Sequence, residues 1–308
     1  MKHRATRPSN AALWAAIVVV WLSWGTTYLG IRWAVETIPP WLMAGTRFAI
    51  AGVLLYAWAR WWRGVPRPTG AQWRAAFAIG CLMLVGGNGL LVWAERTVPS
   101  GLAALVIGAS PFYFAVLDWG VFRGPRPGRL VTLGLVVGLA GLAVLVGPDL
   151  GTRGVRTAGL VALLVANFGW VFGSLYSRQA DTPPSPVLAT AMQMLGGSVA
   201  LLAVSGLLGE WRGLTLAQVS PRSAWSVGWL IVVGSWLGWS AYTVTLRHAP
   251  TALASTYAFV NPVVAVVVGW ALGGETVGPR MLVASAIVIA GVILVTFGSR
   301  RKPQSVEG

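Results

Sequence analysis

Ionisable and amide side chains inside long apolar stretches are the groups of this sequence best placed to do chemistry. Arg47 stands within the apolar segment 41–60, about six residues from its beginning. A charge at that depth of a membrane is costly unless it is paired or hydrated, so its presence indicates a functional site. Asn88 has a similar depth in the next apolar segment, and Glu95 lies one to two turns beyond it. Arg47 is expected to bind a ligand carboxylate or to form a gate with Glu95, and a purely structural tie between the second and third segments is left open.

Two prolines and several aromatic residues fall near the middle of other apolar segments. Pro111 and Pro262 follow Ser110 and Asn261, and a proline inside a helix bends it and frees a backbone carbonyl. The remaining candidates are aromatic or hydroxylated: Trp24, Thr27, Tyr28, Trp170, Ser174, Trp239 and Tyr257. The aromatic residues are expected to form a cavity for amphipathic ligands. The simpler alternatives are packing against lipid or a neighbouring helix for the tryptophans, and hydrogen bonding back to their own helix for Thr27 and Ser174.

Composition indicates a membrane protein. Of the 308 residues, 56% are hydrophobic and 10% are charged, whereas a soluble protein carries about 25% charged residues. Apolar stretches of the length of a bilayer core recur along the whole chain. Cys81 is the single cysteine, and His3 and His248 are the only histidines, which excludes disulfides and makes a metal site unexpected. The sequence also has no Walker-type loop and no hydrolase motif, so we expect neither an enzyme, nor ATP coupling, nor a cofactor.

The apolar segments predict an all-α polytopic membrane protein with ten transmembrane helices. They are bounded by proline and glycine turns, and they lack the polar alternation of barrel strands. Near the end of the fourth helix, Asp118 is expected to pair with Arg123 or to reach the interface. In the fifth helix, Gly134, Gly138 and Gly141 are expected to allow close helix packing. The ten helices are predicted at 11–31, 41–60, 71–93, 99–122, 129–147, 157–178, 186–208, 224–246, 250–272 and 279–298.

The net charge of +15 does not indicate nucleic-acid binding, because of where the basic residues lie along the chain. The basic residues lie at the ends of the apolar segments, where they orient membrane helices and contact anionic headgroups. One side of the predicted topology carries 15 Lys and Arg residues and the other carries 7, with Arg47 inside a span. Both tails, 1–10 and 299–308, are therefore predicted to be cytoplasmic.

The chain contains an internal repeat. Residues 99–129 align without a gap onto 250–280, with identical pairs that include Pro99/Pro250, Pro111/Pro262 and Trp119/Trp270. Chance similarity between apolar helices is the alternative. The repeat predicts two units, 11–147 and 157–298, each with five helices. Since five is odd, the second unit is inverted relative to the first, which is typical of secondary transporters.

Several ordered motifs resemble the EamA family, the ten-helix branch of the drug/metabolite transporter superfamily, and within it most of all the YedA-type bacterial inner-membrane transporters. The resemblance covers about residues 13–298. The motifs that carry it are Trp24-Gly25-Thr26-Thr27-Tyr28 to Arg32, Pro39-Pro40 to Arg47-Phe48, Gly87-Asn88-Gly89 to Ala94-Glu95, Pro99-Ser100-Gly101, Trp170 to Ser174, and Tyr257 to Asn261-Pro262 with Gly274-Glu275.

This resemblance implies a bacterial inner-membrane exporter of small metabolites, amino acids or toxic compounds. It also implies a central cavity between two EamA repeats, with the fifth and tenth helices at the periphery. The expected partners are a small-molecule substrate and the lipid bilayer, with a second copy of the chain, as a homodimer, a further candidate. A channel or a membrane sensor is the alternative function. The predicted substrate-binding residues are Trp24, Thr27, Tyr28, Arg47, Asn88, Trp170, Ser174, Trp239, Tyr257 and Asn261, and the predicted gating or coupling residues are Arg47, Glu95, Pro111 and Pro262.

Overall fold

The computed structural model describes residues 8–94, 106–146, 157–212, 215–273 and 278–300, which form helices and, within these ranges, no strand. Apolar segments fold in this way because backbone groups find no water in hydrocarbon, and a helix satisfies them internally. A single turn, Thr251–Ala254, precedes the ninth helix. In chain order the helices are α1 Asn10–Ala34, α2 Pro40–Trp62, α3 Gly70–Ala94, α4 Ser110–Gly120, α5 Arg129–Val146, α6 Thr157–Gln179, α7 Pro186–Leu207, α8 Pro221–His248, α9 Tyr257–Gly273 and α10 Pro279–Arg300.

Six helices among the described residues are long and apolar enough to cross a membrane: α1, α2, α3, α6, α7 and α8. Shorter apolar stretches lie in α5 and α10. Large apolar side chains, for example Val53, Val116 and Leu207, are exposed on the outside of the bundle, where lipid tails and not water would favour them. The chain is thus an all-helical membrane protein, and its ten spans stay a prediction.

The predicted turn chemistry begins several of the helices. Thr69 and Gln72 form a reciprocal capping box at the start of α3, and Ser9, Ser185 and Ser220 accept hydrogen bonds from the first turns of α1, α7 and α8. These side chains satisfy backbone N–H groups that have no partner within the helix. The start of α2 is capped by the carboxylate of Glu210, which accepts from the backbone nitrogen of Leu42 at 2.9 Å.

The two helices α3 and α8, which correspond in the predicted repeat, each contain a long π-helical stretch near the middle. These stretches are Cys81–Gly89 and Leu230–Trp239. A third one, Trp58–Trp62, ends α2. Apolar periodicity did not predict any of them, because a π-helical turn adds one residue without changing which residues are apolar.

Helices α4 and α9 differ from the predicted continuous helices with a proline in the middle. Pro111 lies in the first turn of α4, just after a break at Ala109, where the missing N–H costs no hydrogen bond. Pro262 lies inside α9 as predicted, but a turn at Ser255 and Thr256 separates α9 from Thr251–Ala254. Residues 106–108 are helical up to this break, so Pro111 lies just after a break between two helical segments, and residues 99–105 lie outside the described ranges.

Corresponding helices of the two halves, α1 to α5 and α6 to α10, make corresponding contacts. Helix α1 packs on α8 and α9, and the corresponding helix α6 packs on α3 and α4. Two further large contacts, α2 with α7 and α5 with α10, each join a helix to its counterpart, and α3 packs on α7 as α8 packs on α2. The core thus lies where both halves meet.

Helices α5 and α10 approach each other backbone to backbone along a seam of glycines. A Cβ added at Gly134 would lie 2.7 Å from the nitrogen of Val295, and one added at Gly291 would lie 2.6 Å from the nitrogen of Gly138. Gly141 contacts Val288 of α10 with the same closeness. The close packing predicted for the glycines of α5 is confirmed.

Candidate functional site

A cavity of about 110 Å³ lies at the junction of the two halves, several times the roughly 10–15 Å³ that one water needs. It is bounded by side chains of α1, α2, α3, α6, α8 and α9, together with the chain around the break before α4. In α1, α2 and α3 the lining residues lie toward the end of the bundle that holds the α1–α2 turn. Nine predicted binding residues line it: Trp24, Thr27, Tyr28, Arg47, Asn88, Trp170, Trp239, Tyr257 and Asn261.

Ser174, the tenth predicted binding residue, lies behind the wall. Its hydroxyl is fully buried, donates to the carbonyl of Trp170 at 2.7 Å and accepts from the hydroxyl of Tyr242 at 2.8 Å. Thr27 lines the cavity, and its hydroxyl donates to the carbonyl of Trp24 at 2.7 Å. Both hydroxyls therefore bond back to their own helices. Among the predicted gating residues, Glu95 lies outside the described residues.

Five aromatic rings pack together at the inner end of the cavity, and we call them the aromatic cluster: Trp24, Trp170, Trp239, Tyr242 and Tyr257. The ring centroid of Trp24 lies 5.4 Å from that of Trp170, 4.7 Å from Tyr242 and 5.1 Å from Tyr257. Trp170 and Trp239 are 5.5 Å apart and meet edge to face. These are favourable separations for aromatic pairs, and the cluster closes the cavity on this side.

Hydrogen bonds fix each indole of the cluster. The ring nitrogen of Trp170 donates to the hydroxyl of Tyr257 at 2.6 Å. Trp24 donates to the carbonyl of Gly234 at 3.1 Å, and Trp239 donates to Gln193 of α7 at 3.3 Å. Because no indole N–H of the cluster is left without an acceptor, the rings can present their faces to the cavity without an unsatisfied donor.

The π-helical stretches bring glycines against two of these indoles. A Cβ added at Gly87 of α3 would lie 3.0 Å from the ring of Trp170, and one added at Gly238 of α8 would lie 2.6 Å from the ring nitrogen of Trp24. The two contacts correspond when the halves are exchanged, since α3 and α8 correspond, as do α6 and α1. A larger residue at Gly238 would displace the ring of Trp24, and one at Gly87 would press on the ring of Trp170.

Arg47 brings a positive charge to the cavity wall. It is 4% exposed, its Nε donates to the hydroxyl of Ser235 at 3.0 Å, and its guanidinium carbon lies 4.4 Å from the ring centre of Phe48. Its Nη1 is buried and has no hydrogen-bond partner. Among the described residues Arg47 makes no ion pair, and its hydrogen bond ties α2 to α8, not to α3.

Amide side chains supply the other polar groups. The Asn88 amide lines the cavity. Asn261 is buried and, in the orientation that satisfies both acceptors, donates to the carbonyls of Trp21 and Tyr257 at 3.3 and 3.0 Å. The carbonyl of Val106, next to the break before α4, accepts from Asn167 at 2.8 Å.

Eight lining residues were not predicted to bind a ligand, and three of them are aromatic or polar: Phe48, Ser110 and Asn167. The hydroxyl of Ser110 donates to the side-chain oxygen of Asn167 at 2.6 Å. A signal for Asn167 existed, since an asparagine in the middle of a span needs a polar partner. Phe48 had none, because a phenylalanine beside Arg47 is indistinguishable in sequence from one that faces lipid.

A polar network lies beyond the aromatic cluster, about two helical turns past the cavity residues of α4 and α6. The hydroxyl of Thr251 donates to Asp118 at 2.5 Å, Arg178 donates to that hydroxyl, and Arg178 lies 3.9 Å from Asp118. Arg178 also donates to the carbonyl of Ala249 at 3.3 Å. The expected pairing of Asp118 with Arg123 is therefore wrong. Arg123 lies beyond the end of α4 with a positive φ of 58°, and the partner of Asp118 comes from α6, the second helix after α4 in sequence.

Comparison with known proteins places this architecture in a family. The EamA-like transporter family matches the chain twice, over residues 10–147 and 157–297. The inner membrane transporter YedA of Escherichia coli (strain K12), itself described as uncharacterized, is 37% identical over 97% of this chain and 94% of its own length. A probable amino-acid metabolite efflux pump of Salmonella typhimurium is 26% identical over 96% of this chain and 97% of its own.

A solved crystal structure shows the same fold. It has a TM-score of 0.78 and 19% sequence identity, and the match covers 96% of this chain and 100% of that one. The family and its relatives are transporters and not enzymes. With two copies of the family sequence spanning nearly its whole length, this chain belongs to the EamA-like transporter family.

Proposed function

We propose that the protein is a secondary transporter of the bacterial inner membrane that exports small amphipathic molecules by alternating access. The observation that carries this proposal is the cavity at the junction of the halves, where three indoles and one buried guanidinium face the same space. Aromatic faces bind the apolar part of a ligand, and the few polar groups orient it.

The proposed topology is ten spans in two inverted five-helix repeats, with both termini in the cytoplasm. It is supported by the two family matches and by helix contacts that are unchanged when the halves are exchanged. An odd number of spans in each repeat requires that the second be inverted. Reporter fusions at residues 1 and 308, assayed for activity on each side of the membrane, test the orientation. The proposal is made for a single chain, and the homodimer stays a prediction.

Alternating access is supported by the unequal surroundings of the cavity. On one side it approaches the end of the bundle that holds the α1–α2 turn, and on the other the aromatic cluster closes it. The network of Asp118, Arg178 and Thr251 joins α4, α6 and the single turn before α9, beyond that cluster. Opening this network while the opposite end closes would carry the ligand across. The efflux named for the Salmonella relative supports the outward direction.

Counterflow in proteoliposomes tests the function. Purified protein is reconstituted in vesicles loaded with one unlabelled compound, and uptake of the same compound in labelled form is measured for amino acids, organic amines and organic carboxylates. A carrier gives a transient, saturable overshoot for one class of compound. Trp239→Ala removes a ring of the cavity and is expected to abolish the overshoot. The matched control is Trp225→Ala on the same helix, whose side chain is 82% exposed. Flux without overshoot would replace the carrier with a channel, and ligand binding without flux would replace it with a sensor.

A further inference from the structure

The charge of the cavity wall narrows the class of substrate. Arg47 brings a full positive charge, and its Nη1 is buried without a hydrogen-bond partner. An unpaired charge in such surroundings is unfavourable, and it gains most from a ligand that brings the opposite charge. In the free protein the Arg47 guanidinium keeps one hydrogen bond, to Ser235, which fixes its direction without neutralising it.

The described cavity lining contains no group to balance a positive ligand. Its polar members other than Arg47 are uncharged: the amides Asn88, Asn167 and Asn261, the hydroxyls of Thr27, Ser110, Tyr28 and Tyr257, and indole N–H groups. No aspartate or glutamate stands among these residues. A cation would therefore face Arg47 without a compensating carboxylate, whereas an anion would cancel the charge.

The shape of the wall constrains the rest of the ligand. In the same cavity as the guanidinium, the aromatic cluster supplies rings of Trp24, Trp170 and Trp239. The arginine itself stands over the ring of Phe48 at 4.4 Å, so the charged pole of the cavity borders directly on apolar surface. A ligand that satisfies both poles has one anionic group and a compact apolar body.

We propose that this cavity selects a small organic monocarboxylate without an ammonium group, which binds with its carboxylate on Arg47 and its apolar body on the aromatic cluster. That this carboxylate is a transport substrate rests on the proposed function, but its binding to the cavity is tested separately. Planar guanidinium and planar carboxylate match each other's hydrogen-bonding geometry, which is why arginine and not lysine suits this position.

The test compares head groups on constant bodies in the purified full-length protein. Three apolar groups, phenyl, indolyl and isopropyl, are each tested as the substituted acetic acid, as its carboxamide and as the corresponding ethylamine. Phenylalanine supplies the zwitterion. Binding is measured by the shift of the thermal unfolding midpoint and by calorimetry. The carboxylates are expected to bind, and the amides, amines and phenylalanine are expected to bind at least tenfold more weakly (about the effect of one charge-assisted hydrogen bond). Equal binding of any other head group, or no binding of any carboxylate by folded protein, overturns the inference.

Variants at Arg47 connect the effect to the residue. Arg47→Gln is expected to weaken carboxylate binding by roughly 10- to 150-fold, and Arg47→Lys is expected to weaken it less because the charge is kept. The control is Arg63→Gln at the end of the same helix, where the side chain is exposed and stands over the ring of Trp58. Should Arg47→Gln fold poorly, Arg47→Lys and the head-group series on the unaltered protein still decide the matter. Unchanged affinity in a folded Arg47→Gln protein contradicts the site.

Counterflow of the carboxylate that binds most tightly then separates the two proposals. Binding with no counterflow keeps the carboxylate site and overturns transport. Counterflow of amines in preference to carboxylates keeps transport and overturns the carboxylate site.

Discussion

The indole nitrogen of Trp170 donates a 2.6 Å hydrogen bond to the hydroxyl oxygen of Tyr257. Trp170 belongs to α6 and Tyr257 is the first residue of α9, directly after the turn that separates α9 from Thr251–Ala254. The bond therefore ties the middle of one helix to the break before another, at the inner end of the cavity. Both side chains line that cavity, so the same contact holds the wall together and shapes it.

Removing the hydroxyl by Tyr257→Phe is expected to lower the free energy of unfolding by about 1–3 kcal/mol, because the indole N–H is left without an acceptor. Thermal and denaturant unfolding in detergent measure the loss. Tyr176→Phe is the control, since Tyr176 packs against the same core and the structure gives its hydroxyl no hydrogen bond with a described residue. Equal losses in the two variants would show that the hydrogen bond contributes nothing particular.

Gly238→Ala is expected to lower stability by about 1–3 kcal/mol and to disturb ligand binding, because a Cβ at this position would lie 2.6 Å from the ring nitrogen of Trp24. Gly228→Ala, in the same helix, has no atom within 4 Å of the added Cβ. It is expected to raise stability by about 0.5–1 kcal/mol, as alanine does when it replaces a helical glycine. The change in stability is thus expected to be negative for Gly238→Ala and positive for Gly228→Ala, as measured by their unfolding midpoints.

The ion pair between Asp118 and Arg178 is expected to contribute more to stability than the pair between Glu36 and Arg222, although its N–O distance is longer. Its groups lie 3.9 Å apart with side chains 14% and 27% exposed, and both share the hydroxyl of Thr251. Glu36 and Arg222 are 3.5 Å apart but 41% and 62% exposed. Double-mutant cycles on unfolding are expected to give about 0.5–1 kcal/mol for the first pair and close to zero for the second. The reverse order would mean that distance, and not solvent screening, decides the coupling.

Glu210 caps the start of α2 although it lies outside that helix, and its removal is expected to destabilise the first turn of α2. Its carboxylate accepts from the backbone nitrogen of Leu42 at 2.9 Å and from the hydroxyl of Ser205 at 2.9 Å. Glu210→Ala is expected to cost about 1 kcal/mol, because it removes a cap and a negative charge at a helix N-terminus. Asp181→Ala, which removes an exposed carboxylate, is the control. Hydrogen exchange is expected to accelerate at the first turn of α2 in the Glu210 variant alone.

Those parts of the fold that depend on burial could be read from the sequence. Residues such as Trp24, Arg47 and Asn261 stand within apolar spans, where a polar group or a large ring has few places to go other than an internal cavity. Several helix limits were equally accessible, because prolines and glycines such as those from Pro66 to Gly70 bound the apolar runs, but the breaks before α4 and α9 were not.

The features that could not be predicted from the sequence depend on contacts between helices that are distant in sequence, or on local backbone geometry. The pairing of Asp118 with Arg178 follows from the packing of α4 on α6, which no spacing rule specifies. The break that places Pro111 at the start of α4, and the π-helical stretches that bring Gly87 and Gly238 against the indoles, depend on local backbone geometry. The composition of a helix does not determine that geometry.

The glycine seam between α5 and α10 also has a consequence for biogenesis. Gly141 and Gly291 stand 150 positions apart, and α5 has no side chains along the seam with which to cover its own backbone. At a synthesis rate of about 5–20 residues per second, the bare face of α5 waits roughly 10–30 s for its partner to emerge from the ribosome. During that interval the glycine face of α5 lacks the contacts that α10 gives it in the folded protein.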